Sequence, residues 1–126
     1  MVLKSKWKCV LVIDDDEILL KSIRPVLVKN NYAVLTANSG EEGLQIALKQ
    51  KPDLIILDVI MPGIKGRDVC RELKDNPETE DIPVIFLTAK DSTDDVRAEL
   101  DSGGILHLTK PFDPKSLLEV VKKIIG

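Results

Sequence analysis

The residues in this sequence that could do chemistry each follow an apolar run. Asp14 and Asp15 come after Cys9-Val10-Leu11-Val12-Ile13, and Asp58 comes after Leu54-Ile55-Ile56-Leu57. Thr88 closes Ile82-Pro83-Val84-Ile85-Phe86-Leu87, and Lys110 follows Ile105-Leu106-His107-Leu108-Thr109. Runs of this kind suit strands covered on both faces, as in a parallel sheet. The strands of a parallel sheet bring their carboxyl ends to one side, where open α/β sheets keep their sites. One site is therefore expected to hold three carboxylates, a hydroxyl and an ammonium. Read alone, Asp58 would only end a strand ahead of the Pro62-Gly63 turn. The other strand ends turn it into a member of a constellation.

Three clustered carboxylates repel one another and resist ionising together. A hard divalent cation relieves that repulsion. Magnesium takes near-octahedral oxygen from few protein ligands and often a phosphate oxygen, whereas calcium prefers more ligands than are available here. No histidine or cysteine cluster suits zinc. A carboxylate nucleophile beside magnesium, a lysine and a hydroxyl points to phosphoryl transfer onto Asp58. The metal and Lys110 would neutralise the phosphoryl oxygens, and Thr88 would donate a hydrogen bond to them. No residue resembles a general base for water or a substrate, so the site suits accepting a phosphoryl group and not processing a metabolite.

The elements that must position these groups alternate. Strands are expected over residues 8–13, 32–37, from Pro52 to Asp58, 82–88 and 105–109, with the second at an edge because it is less apolar. A helix after Asp14-Asp15-Asp16-Glu17 carries Leu20, Ile23 and Leu27 and passes through Pro25 with a kink. Asn30-Asn31 ends it, since asparagine tolerates the left-handed conformation. Ser39 and Glu42 form a capping box for a second helix that buries Leu44, Ala47 and Leu48. A third helix covers roughly 65–74, with Val69, Cys70 and Leu73 inward, and Asn76-Pro77 closes it. A fourth, capped at Asp91 or Ser92 and stopped by Gly103-Gly104, has a narrow apolar stripe of Val96 and Leu100. Asp113-Pro114 supplies an N-cap and an N1 proline to a fifth helix. Its buried stripe is expected to be Leu117, Val121 and Ile124. Five strands alternating with five helices make an α/β, doubly wound parallel sheet.

At 126 residues and 14.0 kDa the chain (1–126) reads as a single domain, able to bury about two thirds of its unfolded surface. A net charge of -3 argues against nucleic acid as a direct partner. The apolar run Cys9–Ile13 is too short for a signal peptide or membrane insertion. Cys9 and Cys70 form no CxxC pair. A cytoplasmic, reducing location is expected.

With those residues in place, the sequence resembles the response regulator receiver domain of two-component signal transduction. The resemblance rests on Val10-Leu11-Val12-Ile13-Asp14-Asp15, Asp58-Val59-Ile60-Met61-Pro62-Gly63, Leu87-Thr88-Ala89 and Leu108-Thr109-Lys110-Pro111-Phe112, in order and with matching spacings. It implies a flavodoxin-like fold with strand order 2-1-3-4-5. It implies that a histidine kinase or phosphotransfer protein phosphorylates Asp58. It assigns Asp14, Asp15, Asp58 and the Ile60 backbone carbonyl to Mg2+ (or Mn2+), and Lys110 and the Ala89 backbone to the phosphoryl group. Thr88 and His107 become the switch, and the Lys110-Pro111 bond is expected to be cis. Ile60 and Lys90, which by resemblance shape water access, predict slow self-hydrolysis, because Ile60 offers water no hydrogen bond.

The sequence departs from the family in three respects, the first being that no output domain is expected after the fifth helix. His107 stands where Tyr or Phe is usual, and Ile105-Leu106 stand where polar residues are common. The output face is expected on the fourth helix, fifth strand and fifth helix, where Leu118 or Ile125 joins Ile105 and Leu106 in an apolar patch for a downstream protein target or a second copy. The Met1 start favours a stand-alone regulator, catalysing only its own phosphorylation and dephosphorylation. Three alternatives fit less well. An aspartate-nucleophile phosphatase would need an acid where Ile60 stands. A flavodoxin would need a phosphate loop in place of the first acids. A degenerate receiver acting as an unphosphorylated docking module would not need all five site residues.

Overall fold

The computed structural model describes residues 7–59, 61, 63–88, 103–110 and 112–126, with the His107 side chain outside that description. In chain order the elements are β1 (Lys8–Ile13), α1 (Glu17–Lys29), β2 (Tyr32–Ala37), α2 (Gly40–Gln50), β3 (Leu54–Asp58), α3 (Gly66–Asp75), β4 (Val84–Thr88), β5 (Leu106–Thr109) and a final helix, here α4 (Pro114–Ile125). The helix expected over 91–102 lies outside the described residues. All strand pairs are parallel, in the order β2-β1-β3-β4-β5. This is the doubly wound, flavodoxin-like arrangement, with β2 at an edge as expected.

The apolar runs explain why the sheet is two-sided. Leu11, Ile13, Ile55, Leu57, Val84 and Phe86 pack on one face with Ala47 of α2 and Val69, Cys70 and Leu73 of α3. Their strand neighbours Val10, Val12, Leu54, Ile56, Ile85 and Leu87 pack on the other face with Leu20, Ile23 and Leu27 of α1 and Leu117 and Val121 of α4. Successive strand residues point to opposite faces, so a strand covered on both sides must be apolar throughout. Each fully buried aliphatic side chain contributes about 1.5–3 kcal/mol relative to exposure. β3 and β4 are buried along their whole length.

Local signals set the helix ends. The Ser39 hydroxyl accepts from the Glu42 N–H, while the Glu42 carboxylate reaches past the cap to the Asn38 N–H at 2.9 Å. Asp113 caps α4 by accepting from the Lys115 N–H, with Pro114 in its first turn. α1 runs unbroken through Pro25. Asn31 follows it with φ of 70°, the left-handed conformation its type permits. The expected helix interiors need three corrections. Leu48 is 40% exposed, because Gly43 and Ala47 make the face of α2 that is buried and Leu48 lies to one side of it. Leu44 is half-buried at the margin of the same core. Ile124 is only half-buried, because Leu117 and Val121 fill the core on this face and Ile124 packs at its margin.

Candidate functional site

Four strand ends converge as the sequence pattern requires. β1 delivers Asp14, which is fully buried, while Asp15 beside it is exposed. Backbone and side chain both fix Asp14. Its N–H donates to the Ala37 carbonyl at 3.0 Å, carrying the register of the edge strand one residue past β1. Its Oδ1 accepts from the Asp16 N–H at 2.9 Å. Asp16 in turn caps α1, accepting from the Ile18 and Leu19 N–H groups. The consecutive acids therefore divide the work: Asp14 faces inward, Asp15 faces outward and Asp16 starts the helix.

β3 delivers Asp58, only 6% exposed, between β1 and β4. Its strand is held on the β4 side by Val59, whose N–H donates to the Leu87 carbonyl at 3.0 Å. β4 ends at Thr88, 5% exposed, paired in register with Thr109. The Lys110 N–H donates to the Thr88 carbonyl at 2.6 Å. That bond extends the β4–β5 ladder and turns the Lys110 side chain back toward the carboxylates.

The Lys110 ammonium donates to Asp14 Oδ2 at 2.8 Å and lies 3.5 Å from Asp58 Oδ1. Burial alone would lower its pKa. The Asp14 hydrogen bond and the charges of Asp58 and Asp14 outweigh that and hold it above the ordinary lysine value. Lys110 is therefore a fixed cation at the centre of the site. Among the described residues, the ion pairs bring one ammonium to a group of three carboxylates. Oxygens of Asp14, Asp15 and Asp58 all lie within 4.8 Å of one another. Hard oxygen donors gathered from three carboxylates and an exposed member open to water together suit a magnesium-like cation that keeps part of its hydration.

Asp14, Asp15, Asp58, Thr88 and Lys110 are thus brought together. Ile60 and Ala89 lie outside the described residues, as does Pro111 and with it the Lys110-Pro111 bond. The His107 backbone pairs with Phe86 in β5, and its side chain is not described. One neighbour of the site was not singled out in the sequence. Gly66, the first residue of α3, sits against the backbone of Asp58 and Val59. A glycine opening a helix shortly after the Asp58 turn was the available signal.

A family model described as the response regulator receiver domain matches residues 10–122. Among curated proteins, the chain is 38% identical to response regulator MprA of Mycobacterium leprae over 92% of its own length and 50% of that protein's. It is 42% identical to response regulator PleD of Caulobacter vibrioides over 91% of its length and 25% of that protein's. It is 39% identical to the alkaline phosphatase synthesis transcriptional regulatory protein PhoP of Bacillus subtilis, covering 94% and 48%. The chain thus spans half or less of these relatives. Among solved structures, chemotaxis protein CheY4 of Vibrio cholerae superposes with a TM-score of 0.90 at 28% identity, over 94% of this chain and 99% of that one. The receiver domain of a signal transduction histidine kinase from Syntrophus aciditrophicus gives 0.86 at 31%, over 94% and 89%.

Proposed function

The chain belongs to the response regulator receiver family, and on that premise we propose that it is a phosphorylation-controlled signalling module whose phosphoacceptor is Asp58. The observation that supports this most directly is the setting of that carboxylate. It is nearly buried at the end of the central strand, with carboxylate oxygens of Asp14 and Asp15 within 4.8 Å and a fixed ammonium 3.5 Å away. An Asp58 oxygen attacks the phosphorus of a phosphohistidine on a histidine kinase or phosphotransfer protein. The P–N bond breaks and its electron pair returns to the ring nitrogen, so a phosphohistidine protonated on its other nitrogen leaves as neutral imidazole.

Asp14, Asp15 and Asp58, with the Ile60 carbonyl, would hold Mg2+, which when bound supplies positive charge at the phosphoryl oxygens. Lys110 supplies a second positive charge from a position already set by Asp14, so little reorganisation accompanies transfer. The Thr88 hydroxyl and the Ala89 N–H would donate to the phosphoryl oxygens. Thr88 and His107 would then carry the change to the output face, formed by the segment 91–102, β5 and α4. Ile105 and Leu106 are exposed there, at 51% and 38%, which supports docking of a downstream protein or a second copy. Among the described residues no helix is long and apolar enough to cross a membrane. The phosphoryl group should be long-lived, because Ile60 cannot hydrogen-bond an attacking water, and Ile60→Asn should speed phosphate release.

Intact-mass analysis after incubation with a small acyl phosphate and Mg2+ tests the assignment. One added phosphoryl group is expected, absent without a divalent ion and absent in Asp58→Asn. Equal labelling of Asp58→Asn would remove Asp58 from the reaction.

A further inference from the structure

The backbone that carries Asp58 is clamped from two sides. On one side the Val59 N–H donates to the Leu87 carbonyl of β4 at 3.0 Å. On the other, the Gly66 N–H donates to the Val59 carbonyl at 3.0 Å. Gly66 is also packed so closely that a Cβ there would lie 2.2 Å from the Asp58 carbonyl oxygen and 2.9 Å from Val59 Cα. Both contacts are backbone, so neither can swing aside as a flexible side chain could.

Neither clamp yields easily. β4 is fully buried and paired on both sides. α3 is seated by Gly66, Val69, Cys70 and Leu73, all buried. Its first turn also meets α2 at Gly40, where a Cβ would come within 2.7 Å of Val69 Cγ2. Crowding at residue 66 would therefore be relieved at the end of β3, where Asp58 leaves the sheet. From this we infer that Gly66 is a positioning residue for phosphoryl transfer. By lacking a side chain it lets the first turn of α3 press on the Asp58–Val59 backbone and set the Asp58 carboxylate against Asp14, Asp15 and Lys110. The inference rests on Asp58 being the phosphoacceptor. A near-octahedral cation tolerates little displacement of its ligands, and a shift of about 1 Å at a reacting group can cost about a hundredfold in rate.

The test compares Gly66→Ala with Leu73→Ala, which opens a cavity under the far end of the same helix without touching Asp58. Circular dichroism melts, Mg2+ affinity by calorimetry, and labelling by an acyl phosphate at saturating Mg2+ are measured on each. Wild-type labelling that is lost in Asp58→Asn first establishes the underlying reading independently of Gly66. Gly66→Ala is expected to bind Mg2+ at least fivefold more weakly and to label about tenfold or more slowly. Leu73→Ala should melt earlier yet keep wild-type affinity and rate. Should Gly66→Ala not fold, Val69→Ala takes its place, loosening the first turn of α3 without adding an atom. It should weaken Mg2+ binding more than Leu73→Ala does. Wild-type affinity and rate in Gly66→Ala, or equal losses in the first-turn and Leu73 variants, would overturn the inference.

Discussion

The Lys110 ammonium is closer to Asp14 than to Asp58, at 2.8 Å against 3.5 Å. The fully buried Asp14 thus holds the lysine in place, and Asp58 shares its charge at longer range. This makes Lys110 both a fixed positive charge for an incoming phosphoryl group and a competitor of any cation for Asp14.

Removing that competitor should separate the two roles. Lys110→Ala removes the ammonium that now holds Asp14 and lies beside Asp58, so Mg2+ should bind several-fold more tightly by calorimetry. Labelling of Asp58 should nevertheless slow, because the positive charge on the phosphoryl side is gone. Weaker Mg2+ binding in the variant would mean that Lys110 organises the carboxylates more than it opposes the cation.

Ile105 and Leu106 are exposed at the start of β5, and Leu118 of α4 is half-buried. Replacing Leu106 and Leu118 with Ser should reduce self-association or partner binding in the presence of Mg2+ and a phosphate mimic. Asp58 labelling should stay at the wild-type level. Sedimentation of the two forms checks this, and undiminished association would move the output surface elsewhere.

Asn31 tests the backbone at the end of α1. Its φ of 70° costs most residues about 1–2 kcal/mol, and a β-branched residue is the least tolerant. Asn31→Val should lower stability by about that amount in urea melts, and Asn31→Gly should be near neutral. An unchanged midpoint for Asn31→Val would show that the turn adopts another conformation at no cost.

Burial raises the pKa of Tyr32, which is 3% exposed at the start of β2, above the ordinary tyrosine value. The folded state therefore keeps the phenol proton to higher pH than the unfolded chain. The resulting stability is fully present below about pH 10 and is lost as pH rises through the folded value. Tyr32→Phe should show a shallower loss of stability above pH 10 in parallel denaturation series. Identical slopes would mean that Tyr32 titrates alike in both states.

The sequence by itself determined what depends on neighbours along the chain. Unbroken apolar runs in β1, β3 and β4 require cover on both faces, and their acidic or hydroxyl ends fall on one side because the strands are parallel. Ser39, Asp113 and Asn31 announced helix ends through hydrogen bonds and φ values that are local by nature. The tertiary structure alone decided what depends on how the crossovers pack. Lys110 meets Asp14 across 96 residues, and no periodicity shows which carboxylate it will prefer. Leu48 and Ile124 have the right helical spacing, yet their neighbours Ala47 and Val121 take the places in the core and leave them exposed or half-buried. Gly66 looked like an ordinary helix start, and only the packing of α3 onto β3 puts its Cα against the Asp58 carbonyl. A pattern along the chain fixes which face of an element is apolar. How far the opposing layer extends, and how closely two backbones approach, is set by all the layers packing at once.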